Sequence, residues 1–155
     1  MAVQIVGSGE IINQIQSTKY TTAQTFSSIS VGSWQDTGLT LSITPTSASN
    51  RILVMMSAVG APNYTSSNAG MQFRIDRDGT DISGVTANNV SSASNGERLT
   101  PNVAYMYLDS PATTSAVTYT LQVTAHTATV TLYLNRNYNQ SSGFSSTLTL
   151  MEVSG

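Results

Sequence analysis

The sequence predicts an all-β chain, an antiparallel β-sandwich or jelly roll, and three observations carry that expectation. First, four segments (Leu39–Thr44, Val117–Thr124, Thr129–Leu134 and Ser146–Leu150) alternate apolar residues with Ser or Thr. Period-two alternation puts one side-chain set on a core face and the other on a wetter face, as in a half-buried strand. Second, these and similar segments are separated by clusters of Gly, Pro, Asn, Asp and Ser, the residues that turn a chain. Third, no segment carries a convincing helical pattern, and no fixed-period repeat appears.

Residues 1–18 read as a distinct N-terminal arm. Val3, Ile5 and Val6 precede Gly7-Ser8-Gly9, and Ile11 and Ile15 stand four apart, as on one face of a helical turn. That run is too short for a stable helix of its own. It either orders on a neighbouring subunit, with Val3, Ile5, Ile11 and Ile15 as docking residues, or forms an edge strand of the same domain.

Residues 19–155 read as one jelly-roll domain of about eight or nine strands. Thr21–Ile29 is a Thr/Ser-rich candidate strand. Trp34–Gly38 leads into Leu39–Thr44, which Pro45 stops, and 46–50 is a turn. Arg51–Val59 is apolar on both faces, which predicts a strand in the middle of the structure. Gly60–Gly70 reads as a loop. Met71–Arg77 points Met71, Phe73 and Ile75 inward, and Asp78-Gly79 makes a hairpin turn into Thr80–Ile82. Val85–Pro101, rich in Asn and Ser, reads as a long surface loop. Val103–Leu108 is a strand and Asp109–Ala112 a turn. The last three alternating strands follow, with a loop at Asn135–Gly143 before the final one.

Composition narrows the function classes. Charged residues make up 9% of the 155, well below the usual share of about 25%. Ser and Thr together reach about 29%, far above average usage. Clean alternation with 39% hydrophobic residues argues for folding rather than disorder. A net charge of −2, one lysine (Lys19) and scattered arginines give no electrostatic footprint for nucleic acid or an anionic membrane. Without cysteine there are no disulfides and no Cys-based zinc sites. The first residues lack the pattern of a signal peptide, and no run reaches the roughly 18 apolar residues of a membrane span. A soluble product made in the cytoplasm is expected.

Candidate chemistry is sparse. His126, the single histidine, has no triad partner or second metal ligand suggested by spacing, and reads as a surface or interface residue. Asp76, Asp78 and Asp81 suggest a calcium loop or a glycosidase pair only superficially; Asp-Gly is the standard content of a type I′ turn. No cofactor, metal or catalytic residue is expected. Trp34 and Tyr138 are the best candidates for stacking on sugar faces, with Asn135, Asn137 and Gln140 to bond hydroxyls. A single Trp also commonly anchors packing.

Three stretches, Asp36-Thr37-Gly38-Leu39-Thr40-Leu41-Ser42-Ile43-Thr44-Pro45, Arg51-Ile52-Leu53-Val54 and Tyr107-Leu108-Asp109-Ser110-Pro111, resemble bacteriophage virion proteins of marine and cyanobacterial phages. The closing Leu148–Gly155 resembles that group's C-terminal strand, and the likeness runs from about Gln16 to the end. The resemblance implies a trimeric jelly-roll knob exposed on the virion, as in fibre tips or capsid decoration, and carries over no catalytic residue. The expected function is therefore structural: a non-enzymatic homotrimer on the virion surface, made in the host cytoplasm and contacting capsid or tail proteins. Capsid decoration, cement or a head knob fits the short chain and the missing shaft. A tail-fibre tip reading host surface polysaccharide is the first alternative, and a free carbohydrate-binding module the second.

Overall fold

The computed structural model describes residues 12–63, 69–83, 87–90, 102–126, 128–136 and 143–155. Eleven strands occur among them: β1 (Ile12–Tyr20), β2 (Gln24–Ile29), β3 (Gln35–Ile43), β4 (Arg51–Pro62), β5 (Gly70–Arg77), β6 (Thr80–Asp81), β7 (Ala87–Val90), β8 (Asn102–Asp109), β9 (Val117–Ala125), β10 (Val130–Leu134) and β11 (Ser146–Val153). Among the described residues no helix is long and apolar enough to cross a membrane.

The strands build two antiparallel sheets. The first runs β1-β11-β4-β10-β2, with β8 also on β4; the second runs β3-β9-β5-β6, with β7 also on β5. Without the short additions β2, β6 and β10, the layers are β1-β11-β4-β8 and β3-β9-β5-β7. The chain passes back and forth between them in the order of two interleaved Greek keys, which makes the sandwich a jelly roll.

Alternation explains which side chains meet inside. Ile52, Val54, Met56 and Ala58 of β4 face Leu39 of β3, Phe73 and Ile75 of β5, and Tyr119, Leu121 and Val123 of β9 in one continuous core. Leu148 and Leu150 extend it along β11. β4 is central as expected, pairing with β11 over Arg51–Ser57 and with β8 over Ile52–Val59 before meeting β10 at Gly60–Pro62. Its faces differ, however: Leu53 and Met55 on the outer side stay half-buried.

The turns obey local chemistry. Asp78 and Gly79 take φ of 48° and 88°, the two positive angles of a type I′ hairpin. Asp76 accepts a 2.7 Å bond from the Gly79 amide, and Asp78 Oδ1 accepts from the Thr118 amide. Gly38 is required by close approach, because a Cβ there would collide with the Tyr20 ring.

Several boundaries differ from the sequence expectation. β1 takes Ile12–Thr18, the described part of the expected arm, into the first sheet along β11. Ile15 therefore sits in an extended strand and not on a helical turn, because the ladder with Met151 satisfies its backbone. Inside the expected 85–101 loop, Ala87–Val90 pairs with Gly70–Phe73 as β7. The expected 60–70 loop is shorter, since β4 runs on to Pro62. The strand count rises from the expected eight or nine to eleven through such short additions.

Candidate interaction surfaces

Among the described residues no group of three or more His, Asp or Glu could hold a metal ion, and the two outer faces differ sharply in their chemistry. On the first sheet, the registers of β1, β11, β4 and β8 align three rows across four strands. Ile15, Met151, Leu53 and Leu108 form the first. Ser17, Thr149, Met55 and Met106 form the second, and Lys19, Thr147, Ser57 and Ala104 the third. Met106 is 68% exposed, Ile15 52% and Leu108 39%. On β4 and β8, Leu53, Leu108, Met55 and Met106 stand up as a ridge of long apolar side chains, and Ser57 and Ala104 lie beside them as a trough. A shallow groove of about 310 Å³ lies there, lined by Met55, Ser57, Ala104, Met106, Thr147 and Thr149. Lys19, at one corner, is the single charge in these rows. Ser17 and Thr149 bond each other at 2.8 Å, and Ser57 Oγ donates to Asn102 Oδ1 at 2.9 Å.

The second sheet's outer face is built differently. Asp36, Gln122, Arg74 and Asp81 form a relay across β3, β9, β5 and β6. Gln122 Nε2 donates to Asp36 Oδ1 at 2.5 Å, Arg74 Nε donates to Gln122 Oε1 at 2.6 Å, and Arg74 Nη1 lies 3.5 Å from Asp81 Oδ2. The Arg74 guanidinium also stacks over the Trp34 ring, 4.4 Å from its centroid. Hydroxyl pairs Thr40–Thr120 and Ser42–Thr118 continue the face at 3.1 and 2.8 Å.

Of the residues expected to contact glycans, Trp34 and Asn135 are among the described residues, and their partners differ. Trp34 is half-buried, with one face of its ring against Arg74. Asn135 lies elsewhere and is fully buried. Its Nδ2 donates to the Tyr20 and Thr22 carbonyls, and its Oδ1 accepts a 2.7 Å bond from Ser146 Oγ, itself the acceptor for the Val59 amide. With φ of 55°, Asn135 holds the left-handed turn that ends β10, a conformation Asn tolerates better than most residues. Asn135 is thus a structural clamp and presents no amide to a sugar, which corrects the expectation. Asn137, Tyr138 and Gln140 lie outside the described residues, as do Val3, Ile5 and Ile11 of the expected docking set. Ile15 lies in the apolar row. His126 is half-buried, and its amide donates to the Gly70 carbonyl at 2.9 Å.

Two buried carboxylates went unnoticed in the sequence. Glu152, fully buried in β11, accepts from the Thr46 amide and hydroxyl, Asn50 Nδ2 and Gln14 Nε2 at 2.7–2.8 Å. Burial alone would raise its pKa, but the donors from Asn50, Gln14 and Thr46 outweigh that and hold it down at about 2. Asp109, at the end of β8, takes both oxygens to Arg77 Nη1, at 2.7 and 2.5 Å, and accepts from the Tyr119 hydroxyl at 2.8 Å. Burial, reinforced by the Asp109 bond, pushes the Tyr119 hydroxyl far above its ordinary value. Burial opposes the Arg77 charge, yet Asp109 more than compensates and raises its pKa. Asp109 joins the first sheet to the second.

No protein-family model matches this sequence, and no curated protein matches it. Among solved structures, the chain is similar to dimeric latent PorU from Porphyromonas gingivalis, at 10% identity and a TM-score of 0.44, over 94% of this chain and 14% of that one. It is also similar to the VP2 subviral particle of infectious bursal disease virus, at 10% identity and a TM-score of 0.45, over 92% and 40% of the two chains. The Gx strain of that virus gives 13% identity and a TM-score of 0.40, over 91% and 38%. The chain thus spans well under half the length of each. At these scores the comparison bears on neither topology nor function.

Proposed function

We propose that this chain is a non-enzymatic structural protein of a phage virion surface, a self-associating jelly-roll knob, homotrimeric, that decorates or cements the capsid. The observation that carries the reading is the chemistry of the outward strand faces. They hold few charges, and their hydroxyls bond one another across strands: Ser17 with Thr149, Thr40 with Thr120 and Ser42 with Thr118. Freely soluble domains keep apart with interspersed Lys and Glu. Short, neutral, mutually satisfied side chains instead let another protein surface approach without desolvating ions or freezing long rotamers. The resemblance of the three quoted stretches to phage virion proteins points the same way.

Residues 1–11, with Val3, Ile5 and Ile11, are the stretch assigned to docking on another virion protein. The relevant deletion stops before Ile12, because Gln14 belongs to the Glu152 cluster. The deciding experiment is gold-labelled antibody imaging of intact particles from the source. Label over the head supports decoration; label at the tail tips makes the chain a fibre knob; no label on any particle removes the virion reading.

The second reading is glycan recognition, at a tail-fibre tip or in a free carbohydrate-binding module. It is favoured by Trp34, fixed on Arg74 beside the amide and carboxylates of Gln122, Asp36 and Asp81. It requires glycan-array binding that Trp34→Ala abolishes, and an empty array rejects it.

A further inference from the structure

The outer face of the first sheet is apolar where the rest of the surface is polar, and its shape narrows what can cover it. We propose that this face is where copies of the chain meet, the ridge of one copy seated in the trough of the next. The inference rests on the self-association in the reading above and adds to it the surface that performs it.

Three features select a second copy as the occupant. Charge is the first. The three rows carry one ionisable side chain, Lys19, at a corner, so the face offers a charged partner almost nothing to pair with, while an identical face adds only a second lysine at its own corner, where water can keep it solvated. Shape is the second. Successive same-face residues on a strand lie about 6.8 Å apart, so the Met55–Met106 row and the Ser57–Ala104 row are a step and its matching recess, one row apart on one surface. A surface that carries both halves of a knob-and-groove fit can satisfy itself in a closed assembly. Methionine, unbranched and polarisable, adapts its rotamers to fill such a groove.

Area is the third. Four strands at about 4.8 Å spacing and three rows give a flat footprint of about 400 Å². A stable association takes about 800 Å² per partner, with an apolar core and a polar rim. The rows supply the greater part of that core, with Lys19 at their corner opening onto a rim that includes Asn102 and Ser57, bonded to each other at 2.9 Å. Among the described residues β8 pairs only with β4, so Met106 and Leu108 stand on an exposed strand at the border of the sheet.

The test is light scattering of the full chain across a wide concentration range, beside Met106→Lys, Leu53→Lys and the opposite-face control Thr120→Lys, with circular dichroism to confirm folding. The expected result is an oligomeric parent and control, and folded face variants that associate at least ~100-fold more weakly, since each would bury an unpaired ammonium. A parent that stays monomeric overturns the proposal. So do face variants that associate like the parent, and a monomeric parent that begins to associate when residues 1–11 are removed assigns the face to that stretch instead. Should the lysine variants misfold, the cysteine-free chain permits Met106→Cys, treated with a short bismaleimide. Covalent dimers from it, and none from Ser42→Cys on the second sheet, support the face; no dimers overturn it. Unchanged association in the variants with label still on particles removes this face alone, whereas loss of the label removes the virion reading alone.

Discussion

Two rows of side chains, each four strands wide, summarise the two outer faces of this sandwich. On the first sheet the row is Ile15, Met151, Leu53 and Leu108; on the second it is Asp36, Gln122 and Arg74, extended diagonally to Asp81, which lies opposite Asp76. Both arise from the same antiparallel pairing and period-two alternation, so the backbone does not explain the difference. The second row is closed on itself: each polar group finds its partner in the next strand, and the face is complete in water. The first row has nothing to close with and gains only when another apolar surface covers it. The sheet that contributes the border strands β1 and β8 is thus the one prepared for contact. The two carboxylates that β8 and β11 bury reflect the same division, with Asp109 binding the second sheet and Glu152 staying among neutral donors of its own side.

This asymmetry predicts an order of damage: the junction between sheets first, the first sheet's interior next, and the second sheet's self-closed surface last. Asp109→Ala is expected to be the most harmful, at about 3–5 kcal/mol, because it strands the Arg77 guanidinium and the buried Tyr119 hydroxyl together. Urea unfolding followed by circular dichroism measures it. A loss smaller than that of the Glu152 variant below would mean that the sheets are held by apolar packing alone.

Glu152→Gln comes next, at about 2–3 kcal/mol, since bonds to a charged acceptor are replaced by weaker neutral ones and an added N–H group faces other donors. The same cluster sets an acid limit. The folded pKa of Glu152 is depressed to about 2 from an ordinary 4.5, so its contribution is fully present above pH 4.5 and is lost as pH falls toward 2. Thermal melts of the parent should therefore show Tm falling over that window, and Glu152→Gln should remove part of the slope. Identical slopes in the two proteins would mean that the carboxylate is not ionised in the fold.

Much of this was legible in the sequence. β3, β9 and β11 follow from alternation, and the Asp78-Gly79 hairpin from turn chemistry. Central placement of β4 followed from its apolar run. β7 was not legible, because Ala-Asn-Asn-Val has little intrinsic strand preference and is drawn into the sheet by the waiting edge of Gly70–Phe73. Asn135 was misassigned because its neighbours have the composition of a sugar-binding loop, although its place right after a strand also fits a left-handed turn. Glu152 did carry a signal: Leu148, Leu150 and Glu152 share one parity, so a carboxylate had to point inward and find donors. The apolar row of the first sheet had none, because it exists only once four distant strands are in register.

The smallest expected effect tests the comparison most sharply. Arg74→Ala removes the centre of the second row: the bond to Gln122, the ion pair with Asp81 and the stack on Trp34. All of these sit at the surface, where water replaces lost polar partners and exposed ion pairs are worth little. The loss should therefore be about 1 kcal/mol or less, most of it from the Trp34 stack, with no change in the association constant measured by sedimentation. Tryptophan fluorescence should report the altered surroundings of the single Trp directly. A variant that lost several kcal/mol would show the polar row to be a structural brace rather than a finished surface. A variant that failed to associate would place the contact between copies on the second sheet, reversing the roles assigned to the two faces.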